Sequence, residues 1–168
     1  MTEPTADRVR QLFAYDPHTG LFTRRVRTSN RVKVGQVAGC VNAQGYVLLT
    51  VDGARYLAHR LAWLHVHGVM PAAAIDHING DRTDNRLANL READNAENLW
   101  NRGASAANTS GFKGVCFDRR TGRWRAAIKA RDQYRFLGRF RTASEAHQAY
   151  AAAAAELHGA YANPGAAA

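Results

Sequence analysis

Ala74 to Leu99 reads AIDHINGDRTDNRLANLREADNAENL. It is the acidic stretch of a basic chain, and its Asn residues follow one Asp-His pair at measured distances. Asn79-Gly80 is a strong tight-turn signal behind a strand ending in Asp76-His77-Ile78, which implies a hairpin. Asp94, with Glu97 three residues on, is a capping box for a short helix through about Asn101, and it places Asn98 in the first turns. The predicted local order is strand, loop, strand, helix.

The surrounding composition points to an anionic partner. The 168 residues hold 23 Lys and Arg against 14 Asp and Glu, a net charge of +9 with a pI near 10.2, which suits nucleic acid. The charge is unevenly spread. Gly111 to Arg141 carries ten basic and two acidic residues, and Leu21 to Arg60 carries seven basic residues against Asp52. Pro71 to Trp100 runs the other way, with three Arg against six acidic residues, so two basic regions flank an acidic one.

Several classes are disfavoured. Cys40 and Cys116 form no C-x-x-C pair, so neither a disulfide framework nor a Cys-based zinc knuckle is supported. No apolar run approaches the roughly 18 residues of a membrane span, and the start MTEPTADRVR lacks a signal-peptide core. The expectation is a cytoplasmic protein with no membrane partner and no small-molecule cofactor. At this length two small modules are expected.

The N-terminal third, residues 1–55, reads as a small basic β-structure. YDPHTGLFTRR holds a Pro and Gly turn ahead of Leu21 and Phe22, and Tyr46 to Val51 is a β-rich run ended by Asp52-Gly53. Leu57, Leu61 and Leu64 then recur at helical spacing, with Gly68 where a cap belongs and Pro71 blocking continuation. His59, Trp63 and His67 form a second stripe of this helix; without a third ligand nearby, packing is the better reading than metal binding. Residues 103–110 read as a linker of small polar residues. Beyond it, GFKGVCFDRRTGRWRAAIKARDQYRFLGRF reads as three short strands, and Thr142 to Glu145 is a capping box for a helix that Gly159 closes. Residues 164–168 form a tail.

In order and spacing, HRLAW, DHINGD, DNRLANL and ENL resemble the phage and intron-encoded branch of the HNH endonucleases, over roughly 56–102. The resemblance implies a ββα-metal fold that wraps one divalent cation. Carried over residue by residue, it makes His77 the general base, has Asn89 fix the hairpin and orient His77, and makes Asp76 and Asn98 the metal ligands. Oxygen ligands suit Mg²⁺, with Mn²⁺ as the other candidate. Family members often add a basic residue near the scissile phosphate; Arg86 and Arg91 are the candidates here.

GFKGV, GRWRAAIK, FLGRF, the helix TASEAHQAYAAAAAELHG and YAN resemble the AP-two/ERF DNA-binding domain over 111–163. That resemblance implies a three-stranded antiparallel sheet packed on one helix and laid in the major groove. Period-two alternation puts Trp124, Ala126, Ile128 and Leu137 inward, and Arg123, Arg125, Lys129, Tyr134 and Phe136 outward. With Lys113, Arg119 and Arg120, these outward residues are the candidate DNA-binding set. Cys116, Asp118 and Ala127 stand where the plant proteins usually carry contact residues, so no target sequence transfers.

Together the readings describe an α+β, site-specific, divalent-metal-dependent DNA endonuclease of homing or phage type acting on double-stranded DNA. The competing class is a transcriptional regulator whose HNH part does not cut.

Overall fold

The computed structural model describes residues 3–105 and 107–165. The chain divides into two compact units, residues 1–93 and 94–168. Both mix helices with small antiparallel sheets, so the fold class is α+β.

The first unit opens on a helix where only β-structure was expected. Thr5 caps α1 (Ala6–Leu12) by accepting from the Arg8 amide at 3.2 Å, and Ala6, Val9 and Leu12 are buried along one face. The signal was present in Thr5 followed by apolar residues at positions 6, 9 and 12, but seven residues give little helical periodicity to read. Two strands, β1 (Phe13–Tyr15) and β2 (Phe22–Arg24), then pair antiparallel. The Asp16 side chain closes their turn by accepting from the His18 amide and the Thr19 hydroxyl, each at 2.9 Å.

A three-stranded sheet follows, built from β3 (Cys40–Val41), β4 (Val47–Val51) and β5 (Ala54–Leu57). Asp52 and Gly53, both at positive φ, make the turn from β4 to β5, as their sequence predicts. Next comes α2 (Ala58–His67), ended by Gly68 in the left-handed region with its amide on the Leu64 carbonyl at 2.9 Å. Val9, Phe13, Phe22, Leu49, Leu61, Ile75 and Leu90 belong to one core, which binds the N-terminal elements to the strands β6 (Ala74–His77) and β7 (Leu90–Ala93).

These last two strands pair antiparallel, with Asp76 opposite Arg91 and His77 opposite Leu90. They are not joined by a tight hairpin. The Asn79-Gly80 turn exists, with the Gly80 amide on the His77 carbonyl at 2.8 Å, but the chain continues through a structured loop and a 3-10 turn over Leu87–Asn89 before β7 begins. The turn signal is local, whereas the loop is held by side-chain bonds that local sequence does not display.

The second unit begins with α3 (Asn95–Asn101), whose capping box forms as predicted: Glu97 N–H donates to Asp94 at 2.9 Å and Asp94 N–H to Glu97 at 2.7 Å. This unit takes in α3, which the motif resemblance groups with residues 56–102. The reason is Lys113, whose ammonium donates to the carbonyls of Trp100 at 2.5 Å, Arg102 at 2.6 Å and Asn163 at 3.1 Å. Trp100 also stacks on His158 with ring centroids 4.4 Å apart. Within the expected linker, Asn108 and Ser110 bond to the carbonyl of Phe112, and Ser110 also to that of Val115.

The sheet of this unit has the order β10-β9-β8, from β8 (Val115–Asp118), β9 (Arg123–Ala130) and β10 (Gln133–Phe140). The helix α4 (Ala143–His158) packs on it through Ala146, Tyr150, Ala153 and Ala154, and small Ala side chains permit the close approach. Gly114 shows how close: a Cβ there would lie 2.1 Å from the Tyr150 ring.

Candidate active site

Strand β6 holds Asp76 and His77 at successive positions, with the buried Ile75 before them opposite Glu92 of β7. Both polar side chains are buried, at 8% and 4% exposure, which calls for specific partners. Arg91, directly opposite Asp76, supplies one: its Nε and Nη2 donate to Asp76 Oδ2 at 2.9 and 2.8 Å. Arg86 is likewise engaged, with Nη2 on Asp84 at 2.6 Å. The two Arg candidates for a phosphate clamp are thus each bound to a carboxylate.

His77 has a partner that sequence reasoning missed. Its Nε2 lies 3.2 Å from Oδ1 of Asn85, itself only 3% exposed. The His59 ring stands edge-on at 4.9 Å and Tyr46 is 6.1 Å away. Burial lowers the His77 pKa below its usual value, against the raising effects of the Asn85 bond and of Asp76, Asp84 and Asp81. Burial thus favours the neutral imidazole. Burial, with His77 and Arg60 beside it, pushes His59 further down, to about 3.

The loop between the strands is tied by its own Asn and Asp side chains. Asn89 Nδ2 donates to Asn79 Oδ1 at 3.0 Å and to the Asp84 carbonyl at 2.8 Å, while its Oδ1 accepts from the Asn79 amide at 3.0 Å. Asn79 in turn donates to Asp84 at 2.8 Å and accepts from the Asp81 amide at 2.9 Å. Arg86 holds the Asp84 pKa down at about 2. Asn89 therefore braces the loop, and the residue bonded to His77 is Asn85.

The N-terminal segment supports this loop from below. Tyr15 donates its hydroxyl to the Asn85 carbonyl at 2.8 Å, and the Leu87 amide donates to the Pro17 carbonyl at 3.1 Å. Gly20, at φ +73°, approaches so closely that a Cβ would meet Arg86 N at 2.4 Å. Arg82 was also missed: its guanidinium lies over Tyr46 at 4.8 Å and donates to the Gln44 carbonyl at 2.7 Å. The signal for Asn85 and Arg82 lay in the same polar run, but side-chain aim within a loop cannot be read from spacing.

Among the described residues, no three His, Cys, Asp or Glu side chains gather into a metal-binding group. Asn98 is half-buried on α3, within the second unit.

The matches with known proteins bear on this loop. The family model for HNH endonucleases matches residues 56–99, the span that holds His59, Asp76, His77, Asn85, Asn89 and Asn98. Protein 3.8 of Escherichia phage T7 is 35% identical over 104 residues, covering 55% of this chain and 86% of that protein. This chain belongs with Protein 3.8 in one family, and it carries an HNH endonuclease domain. No solved structure matches significantly.

In the second unit of this HNH protein the candidate DNA-binding residues divide. Arg119 and Arg120 are exposed in the β8–β9 turn, and Arg123 and Lys129 are exposed on β9. Tyr134 and Phe136 are exposed on β10, and Arg125 bonds to the Tyr134 hydroxyl. Lys113 requires correction. It is half-buried with all three ammonium donors on backbone carbonyls, and burial lowers its pKa to about 8, so it is a clamp within the fold.

Arg139 is an addition. A bulge between Phe136 and Gly138 shifts the register, so Arg139 stands opposite Arg125 and its guanidinium lies 5.4 Å over Phe136. Strict alternation from Leu137 would have turned it inward.

Proposed function

We propose that this protein is a divalent-metal-dependent DNA endonuclease of phage or homing type, with the C-terminal sheet selecting double-stranded DNA. The observation that carries the reading is the buried Asp76-His77 pair at the end of β6, inside the matched HNH span. The phage relative supports the context.

The chemistry follows from the side chains. A neutral His77 takes a proton from water, the resulting hydroxide attacks phosphorus, the P–O3′ bond breaks, and the departing oxygen takes a proton from solvent. Asp76 offers a carboxylate held in place by Arg91, and oxygen donors of this kind suit a hard cation. When bound, a cation such as Mg²⁺ or Mn²⁺ neutralises charge developing on the phosphate. Asn89 keeps the loop closed behind His77.

DNA selection is assigned to the outer face of β8–β10, the side opposite α4. Arg123, Arg125, Lys129 and Arg139 there alternate with Tyr134 and Phe136, a basic and aromatic surface suited to phosphates and base edges. The AP-two-like reading of this unit rests on the sequence resemblance alone; what the fold offers is a three-stranded antiparallel sheet with α4 on one side.

The test is a cleavage-site map on a genomic library with Mg²⁺ and with EDTA, beside gel-shift binding without metal. Cleavage with Mg²⁺ and retained binding in EDTA are expected, and His77→Ala should lose about 10²–10⁴-fold in rate while binding DNA normally. DNA binding with no cleavage in any divalent cation would overturn the nuclease and leave a regulator.

A further inference from the structure

We infer that Asn85 is a positioning residue that fixes both the orientation and the tautomer of His77, so that Nδ1 is the atom that accepts the proton from water. The inference rests on the nuclease reading for its catalytic meaning, and on the geometry of the first unit for its substance.

An amide side chain can present either its oxygen or its nitrogen, and the network around Asn85 decides which. Its Nδ2 donates to the Thr83 carbonyl at 3.2 Å, a partner that can only accept. The oxygen is thereby turned toward His77, where it lies 3.2 Å from Nε2. An amide oxygen also only accepts, so Nε2 carries the proton and the lone pair of the neutral ring resides on Nδ1. The choice of tautomer thus passes from Thr83 through Asn85 to His77.

Asn85 itself has little freedom to turn. It is buried, its carbonyl accepts from Tyr15 at 2.8 Å, and Gly20 packs against its backbone. His59 closes another side of the ring edge-on at 4.9 Å. A ring so enclosed delivers its basic nitrogen in one direction, and a general base aligned in advance avoids the cost of finding that alignment during reaction.

The experiment combines kinetics with long-range ¹H–¹⁵N NMR of the imidazoles in the full-length protein, His77 being assigned by its loss in His77→Ala. At about pH 8, where a histidine is neutral, the wild-type ring should show a protonated Nε2 and an unprotonated Nδ1. In Asn85→Ala this pattern should give way to averaged tautomers, with kcat lower by about 10–100-fold and KM for DNA unchanged. Asn85→Asp keeps an acceptor oxygen and should restore the tautomer and most of kcat.

A wild-type ring protonated on Nδ1, or an Asn85→Ala ring with an unchanged tautomer and kcat, overturns the inference. If Asn85→Ala does not fold, the wild-type tautomer and Asn85→Asp decide. A wild-type protein that shows the expected tautomer yet cuts no DNA sinks the nuclease reading and leaves the Asn85–His77 coupling standing.

Discussion

His59 is buried at 4% exposure with its Nδ1 unbonded, so it is tolerated in the fold only as a neutral ring. Its pKa drops from 6.5 in the unfolded chain to about 3 in the folded one, chiefly through burial. The unfolded state therefore binds the extra proton first, and stability is fully present above about pH 6.5 and declines as pH falls toward 3. Chemical denaturation of the protein between pH 4 and 8 should show this acid limb, amounting to about 1–4 kcal/mol. His59→Leu should flatten it; an unaltered limb would place the acid sensitivity in other groups. Glycine sets a second residue-scale constraint. Gly20 and Gly53 share a positive φ, but a Cβ at Gly53 meets nothing within 4 Å, whereas one at Gly20 strikes the backbone of Asn85 and Arg86. Gly53→Ala should cost about 1–2 kcal/mol of backbone strain. Gly20→Ala should cost more and also slow cleavage by displacing the loop behind His77. Equal effects of the two substitutions would separate the N-terminal turn from the site.

The strand β9 presents two faces that differ in kind. Ile128, 2% exposed, lies in the core under α4, and Ile128→Ala should destabilise the second unit by about 2–5 kcal/mol. Arg125 lies on the other face, bonded to the Tyr134 hydroxyl and opposite Arg139. Arg125→Ala should leave melting nearly unchanged and, through a lost phosphate contact, reduce the slope of log affinity against log salt by about 1. Melting curves and salt-dependent gel shifts of both variants check this separation. A destabilised Arg125→Ala with unaltered DNA binding would remove the sheet face from recognition.

The division at Ala93/Asp94 makes a prediction for the whole molecule. Residues 1–93 own a complete apolar core, so this fragment should melt cooperatively by itself. A fragment of residues 1–105 adds α3 without Lys113, His158 and Asn163, the partners that hold its C-terminal carbonyls and Trp100. Amides of α3 should exchange with solvent fast in that fragment and slowly in the full chain. In the full-length protein, Lys113→Met should accelerate exchange at the end of α3 as well. Slow α3 exchange in the 1–105 fragment would show that the helix does not depend on the C-terminal elements.

Wherever a structural cause is local, the sequence by itself determined the outcome. Capping boxes at Asp94 and Thr142 act over three residues, Asp52-Gly53 and Gly68 demand particular backbone angles, and alternation along β9 is a property of any strand. The Asp-His adjacency at the end of β6 and the Asn spacings were legible for the same reason. Tertiary structure decided the rest, because its causes join residues far apart in the chain. Asn85 became the partner of His77 with Tyr15 and Gly20 packed against the loop, and Arg91 was claimed by Asp76, which strand register sets directly opposite it. Lys113 looked like one more cation in a basic run until burial set its ammonium among three carbonyls, and a single bulged residue turned Arg139 outward. Net charge and motif spacing are additive along a chain, whereas the commitment of a side chain to one partner is set by what else is packed beside it.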